Sequence, residues 1–290
     1  MKQSSGERIF YSVNYAVMGL IGFICVLPLI YLLAVSLSSE QAVVSGKVGL
    51  WPVGFNFDNY RLVIEGSNIG KAFWNSVVIT IFGTCLNMGF TILAAYPLAK
   101  KAFKGRRFYT MLILFTMLFN AGLIPNYLLV KNLGLVDTYW ALWLPSLISV
   151  YNMLVLKTFF ETLPEEIEEA ARIDGSSEGR LLLQIILPLS MPVLAALTLF
   201  YAVGHWNSFL NVLLYINSSD KKNMAVMVQE MITNSFSRQM DQVQPDQVQM
   251  VTPEAIRASS IFIMIVPMLI LYPFLQKYFV KGIMVGSIKG

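Results

Sequence analysis

Charge is what this sequence has least of. Asp, Glu, Lys and Arg supply 13% of its 290 residues, against 56% hydrophobic residues and a mean hydropathy of +0.62. A soluble domain carries about 25% charged residues, so a cytosolic enzyme, a disordered chain and a nucleic-acid binder all lack the surface they need. The net charge of +4 does not restore a nucleic-acid partner, because in so apolar a chain the place of a charge matters more than the sum. Cysteine is also scarce. Cys25 and Cys85 both fall inside apolar runs and are too few and too buried for a disulfide framework or a metal site. No segment fits G-x-x-x-x-G-K-[ST], since Gly46-Lys47 and Gly70-Lys71 are followed by Val48 and Ala72. Without that phosphate-cradling loop the chain has no means of hydrolysing ATP.

What it has instead is long stretches without charge. Residues 9–39, 72–99, 108–130, 138–156, 181–219 and 258–276 carry none, and about 20 apolar residues cross a ~30 Å hydrocarbon core. The runs are continuous rather than alternating, which predicts helices and not a barrel. The first is too long for the core of a secretory signal and reads as an uncleaved span. The expected fold is all-α and integral to a membrane, with six transmembrane helices near 12–37, 72–99, 108–130, 139–156, 191–216 and 259–276. Lys and Arg set the orientation. With residues 1–11 inside, the inner segments 1–11, 100–107, 157–190 and 277–290 hold 2, 5, 3 and 3 basic residues, and the longer outer segments 36–71, 131–138 and 217–258 hold 3, 1 and 4. Lys100, Lys101, Lys104, Arg106 and Arg107 decide it by filling one short loop, so both termini are expected in the cytoplasm. Pro28, Pro97, Pro125, Pro145, Pro267 and Pro273 fall in or at the ends of spans, where each kinks or stops a helix. Residues 122–125 mark the expected interruption of span three.

One loop departs from this apolar pattern: ETLPEEIEEAARIDGSSEGRLLLQIILPLSMP, residues 161–192. Thr162 and Glu165 have capping-box spacing, and Pro164 suits a first helical turn. Four glutamates crowd the start, where the helix dipole favours negative charge. Ile167, Ala170, Ala171 and Asp174 share a small, mostly apolar face. Gly175 stops the helix, and Ser176 or Ser177 opens another that Pro188 and Pro192 interrupt. A small-faced helix held between two spans suits docking in another protein's groove. The alternative is an amphipathic helix lying on the membrane, against which its acidity argues.

Glu169, Ala170, Ala171, Gly175, Ile185, Leu187 and Pro188 reproduce the E-A-A, three residues, G, nine residues, I-x-L-P loop of permease subunits of ATP-binding-cassette importers. The chain resembles the smaller, maltose-type permease of carbohydrate importers, and more narrowly the subgroup assigned to complex oligosaccharides and uronide-type sugars. The resemblance implies a type I importer fold and a non-catalytic subunit, with a cytoplasmic N-terminus over 1–11, a permease domain over 12–281 and a cytoplasmic tail over 282–290. The coupling loop would be 161–190, its helix 164–175 seated on an ATPase with Glu169 paired to a basic residue there. The implied partners are a second six-span permease, two ATPases and an extracytoplasmic solute-binding protein that meets the loop 217–258. The implied cargo is sugar. Membrane lipid surrounds the chain, ATP and Mg stay on the ATPases, and this chain binds no cofactor, metal or nucleic acid.

For the sugar path the candidates are His205, Trp206 and Asn207, with Asn120 beside the break and Tyr151 and Asn152 in span four. The competing reading of each, and the one a polar residue in a span more often has, is helix packing. Tyr139, Trp140 and Trp143 read as an interfacial aromatic belt. The external residues 237–253 read either as a contact for the binding protein or as a solvated connector. A secondary carrier driven by an ion gradient is the rival class. The lack of intramembrane carboxylates and the presence of the docking loop count against it. A permease of the same fold for a non-sugar solute stays open, since the loop motif is blind to cargo.

Overall fold

A computed structural model describes the backbone over residues 5–65, 68–241 and 253–287. The described residues are helical, with no strand among them. The chain forms two compact units: residues 1–70 with 227–266, and 71–226 with 267–290.

In the first unit, Ser5–Ser36 is one 32-residue helix that runs through Pro28. Its apolar side chains from Ile9 to Val26 are exposed, as lipid-facing side chains are. A polar knot follows its end. Asn59 Nδ2 donates to the carbonyls of Ser36 and Ser38, at 3.1 Å each, and Ser38 Oγ accepts from Val53 N–H at 3.0 Å.

The second unit is built around the 31-residue helix Ile69–Ala99. One apolar cluster gathers Ile79, Val130, Trp143, Val212 and Tyr215. The other gathers Ala95, Leu98, Leu156, Phe160, Ala171 and Leu181. Polar side chains stitch the helices together where apolar packing alone gives little specificity. Asn87 Nδ2 donates to Ser146 O at 2.7 Å, and Thr91 Oγ1 shares a 2.7 Å hydrogen bond with Tyr201 OH, which also accepts from Ser149 N–H at 3.0 Å.

Helices long and apolar enough to cross a membrane are Gly6–Ser36, Ile69–Ala99 and Pro253–Ile270. Among the described residues that number rises to five if each of two bent pairs is counted as one broken span: Arg106–Leu118 with Leu123–Asn132 at 110°, and Glu178–Leu189 with Met191–Trp206 at 84°. The first bend lies at the expected break. Phe119 leaves the helix, and Gly122 adopts φ +90°, a region glycine enters without penalty. Pro125 then sits in a first turn, where its missing N–H costs nothing.

The expected fourth span, 139–156, is not one helix. It divides into Trp140–Trp143 and the 12-residue Val150–Glu161, which at 1.5 Å per residue reaches only about 18 Å. The fifth helix ends at Trp206 rather than 216, and Leu210–Tyr215 follows it. The expected external loop contains an 18-residue helix, Met224–Asp241. Pro97, Pro267 and Pro273 lie within continuous helices. Cys25 and Cys85 are free and exposed rather than buried. Trp143 is buried with Nε1 donating to Ile79 O at 3.2 Å, so it packs inside instead of joining an interfacial belt. Most of the 237–253 stretch and residues 288–290 of the expected tail lie outside the described residues.

Candidate functional site

The acidic loop folds as expected in outline. Glu165–Ile173 is a helix. Its stop is a Schellman arrangement, with Ser176 N–H bonded to Ala171 O and Gly175 N–H to Arg172 O, both at 3.0 Å, and Gly175 at φ +75°. The start differs. Pro164 is the N-cap and has no side chain to bond the turn, while Thr162 Oγ1 donates back to Phe159 O at 2.7 Å. The capping box does not form because Thr162 ends the preceding helix Val150–Glu161 and the next begins at Glu165, which therefore stands first in its helix, not third, and pairs with Lys101. Ser177, rather than Ser176, caps the next helix, its Oγ accepting from Arg180 N–H at 3.4 Å. That helix passes into a π-turn over Leu182–Ile186 just before Pro188, a register that suits a residue unable to donate.

The predicted small face is divided. Ala171 is buried against the core, with Leu181 and Phe160 in the same cluster. Glu166, Glu169, Ala170 and Ile173 face outward at i, i+3, i+4 and i+7, and Ile173 is 86% exposed. Sequence reading named Glu169 and Ala170 but missed Ile173. The same helical spacing would have found it once Ala171 was assigned inward. Ile185 and Leu187 pack against the core cluster, and Pro188 is exposed.

A ring of charged and aromatic groups holds this helix. Lys100 pairs with Glu168 and lies 4.4 Å above the Tyr96 ring. Tyr96 OH donates to Glu178 at 2.7 Å, Glu178 bonds Arg172 at 3.0 Å, and Arg172 returns to Glu168 at 3.8 Å. Lys101–Glu165 and Arg106–Glu161 extend the contact. The Lys101 ammonium holds the Glu165 carboxyl below its usual range. Hydrogen bonds from Tyr96 and then Arg172 do the same for Glu178. The basic loop on which the expected orientation rests is therefore also the clamp on the acidic helix.

A second polar knot gathers loops from the other cluster. Asp137, at φ +63°, accepts from the N–H groups of Asn217 and Ser218 at 3.0 and 2.9 Å and from Ser218 Oγ, and it receives Lys221. The Ser218 hydroxyl and then its N–H hold the Asp137 carboxyl well below the usual range. A lone Asp between two apolar runs gave no sequence signal of this role.

The path candidates are not brought to one place. His205 is buried, 3.3 Å from Asn87 Oδ1, and Trp206 packs edge-on to Phe73. Asn207 and Tyr151 are exposed and Asn152 is buried. Asn120 is exposed on the break, accepting from Gly122 N–H at 2.9 Å, and faces a cavity. No group of His, Cys, Asp and Glu suited to a metal occurs among the described residues.

Known proteins resemble this chain over nearly its whole length. Protein LplC of Bacillus subtilis is 41% identical over 292 residues, covering 100% of this chain and 98% of that one. The polygalacturonan/rhamnogalacturonan transport system permease protein YtcP of the same organism is 38% identical, covering 98% and 99%. A solved bacterial ABC transporter involved in the import of the acidic polysaccharide alginate contains a chain matching with a TM-score of 0.86 at 30% identity, covering 96% of this chain and 99% of that one. The model of one family, described as binding-protein-dependent transport system inner membrane component, matches residues 87–285. On that match, together with the apolar helices and the clamped acidic loop, the chain belongs to this family of multi-pass, non-catalytic permeases whose ATPase is a separate subunit.

Proposed function

We propose that this chain forms half of the translocation pathway of an ATP-driven, binding-protein-dependent importer of oligosaccharides. The observation that carries the reading is the outward stripe of Glu166, Glu169, Ala170 and Ile173 on a helix clamped at both ends. An exposed isoleucine flanked by acids and a small residue suits a groove with an apolar floor and a basic rim. ATP binding that closes an ATPase pair beneath such a helix would pull it, and Lys100 would pass the pull to the Ile69–Ala99 helix.

Orientation follows. The 100–107 loop touches the acidic helix, whereas Asp137 gathers Asn217, Ser218 and Lys221. This pairing supports segments 100–107 and 157–190 on the cytoplasmic side, 131–138 and 217–223 outside, and both termini in the cytoplasm. The partners would be a second permease, two ATPases carrying ATP and Mg, and an external solute-binding protein. The cargo reading rests on relatives named for polygalacturonan, rhamnogalacturonan and alginate, which supports an oligosaccharide that contains uronic acid.

The test is affinity capture from membranes in mild detergent, followed by mass spectrometry and uptake in liposomes. Recovery of an ATPase and a second permease, with ATP-dependent sugar uptake, is expected. A chain recovered alone that transports without ATP would establish an ion-driven carrier instead.

A further inference from the structure

The broken third helix leaves a cavity of about 250 Å³, whose walls include Asn120, Asn126, Asn211 and Tyr215, with Leu123 and Leu214 between them. Asn120 spends its carbonyl oxygen on Gly122 N–H, so its NH₂ group stays available. The carboxamides of Asn126 and Asn211 make no hydrogen bond among the described residues. Tyr215 is only 5% exposed and its ring is stacked on Tyr127 at 6.0 Å. Its hydroxyl nevertheless has no partner among the described residues. The ring is buried while the residue lines the cavity, so the hydroxyl is free for a bound molecule. Four side chains with unspent donors or acceptors thus meet at one cavity.

The lining also restricts the ligand. It contains no Lys or Arg, so a phosphate or carboxylate would meet no countercharge, and no Asp or Glu, so a cation would meet none either. Carboxamides and a phenol both donate and accept, which matches hydroxyl groups. The two leucines match C–H faces. A pyranose ring presents hydroxyls at its edge and C–H groups on its faces.

We infer that this cavity is a docking subsite for one pyranose ring of the transported oligosaccharide, with Asn120, Asn126 and Asn211 bonding its hydroxyls and Tyr215 closing the wall. The carbonyl of Tyr215 accepts from Asp137 N–H at 2.7 Å, so the subsite adjoins the polar knot on the proposed external side, where a delivered sugar arrives. The assignment rests on the oligosaccharide reading above. Because the walls are uncharged, the subsite holds the ring and does not read a uronate carboxylate.

The test uses the importer complex without its binding protein, in nanodiscs. Wild type, Asn126→Ala, Asn211→Ala and Tyr215→Phe are titrated calorimetrically with trigalacturonate, maltotriose and arabinotriose. Asn126 and Asn211 are exposed, and Phe keeps the stacked ring, so yield and melting temperature report folding separately. Each Asn variant is expected to bind about three- to tenfold more weakly, the loss of one net hydrogen bond, and to the same degree for neutral and uronate probes. Wild-type binding that neither Asn variant weakens overturns the subsite alone. Weakening confined to trigalacturonate overturns the uncharged-ring assignment. Wild type that binds none of the three overturns the subsite too, whereas the oligosaccharide reading itself falls only if the complete importer with its binding protein shows no ATP-dependent sugar uptake.

Discussion

The Lys100 ammonium is paired with Glu168 while lying over the ring of Tyr96, and both charged side chains are more than four-fifths buried. This joins the end of the Ile69–Ala99 helix to the middle of the Glu165–Ile173 helix. Motion of the acidic helix therefore has a direct route into a core helix, besides the covalent one through Val150–Glu161. Lys100→Met leaves Glu168 without its closest cation, at a cost of about 1–3 kcal/mol. The expected result is an assembled importer that hydrolyses ATP but moves less sugar per ATP. The double variant Lys100→Glu/Glu168→Lys recovers part of the ratio, which a purely steric role for Lys100 would not allow. Uptake and phosphate release measured on the same proteoliposomes check this.

The helix stop at Gly175, the break at Gly122 and the apolar character of the spans were legible in the sequence, because each depends on local chemistry. Glycine at positive φ and proline in a first turn act within a few residues. The division of the small face was not legible, since Ala170 and Ala171 look alike until Phe160 and Leu181 arrive against one of them. The capping box failed because Thr162 still belongs to the end of the preceding helix and Glu165 opens the next one. Glu165 had the right spacing, and it pairs instead with a lysine 64 positions earlier in the chain. Of the path candidates, Asn120 reaches a cavity, but Asn126, Asn211 and Tyr215 become its neighbours only through the 110° bend.

Gly175 separates folding from coupling. Its φ of +75° penalises any side chain, but nothing lies within 4 Å of where a Cβ would stand. Gly175→Ala costs about 1–2 kcal/mol of backbone strain and no clash, so the chain should still reach the membrane. The helix stop loosens, however, and ATPase capture should fall severalfold. Glu169→Lys, on the outward stripe, should do the same with no change in melting temperature. Pull-down of the ATPase against membrane yield checks both.

Gly83 makes room for His205. A Cβ there would stand 2.6 Å from Nε2 and 2.7 Å from Cε1 of the imidazole, and small residues are what let membrane helices approach. Gly83→Ala is expected to destabilise by about 1–3 kcal/mol through overpacking. His205→Ala in the same chain relieves the clash, so the double variant should melt above the Gly83 single variant. Thermal melts in detergent check this, and a Gly83→Ala variant that melts like wild type would refute the close approach.

Asp137 ties the knot near the cavity by its charge as well as its hydrogen bonds. Its carboxyl is held below the ordinary range by Ser218, then by Lys221 and Asn217. A depressed carboxylate stabilises the fold above its unfolded value of about 4 and loses that contribution as the pH falls through the folded one. Asp137→Asn keeps a side chain that tolerates the left-handed φ of +63° and an oxygen for the Asn217 and Ser218 N–H groups, and it removes the charge together with the second oxygen, which accepts from Ser218 Oγ and Lys221. At pH 7 it should cost about 1 kcal/mol, a modest figure because the Lys221 pair is partly exposed and screened. Lowering the pH from 7 to 3 should destabilise wild type more than the variant, so the gap in melting temperature narrows. A gap that stays constant would mean that the lost acceptor accounts for the whole cost and that the charge contributes nothing.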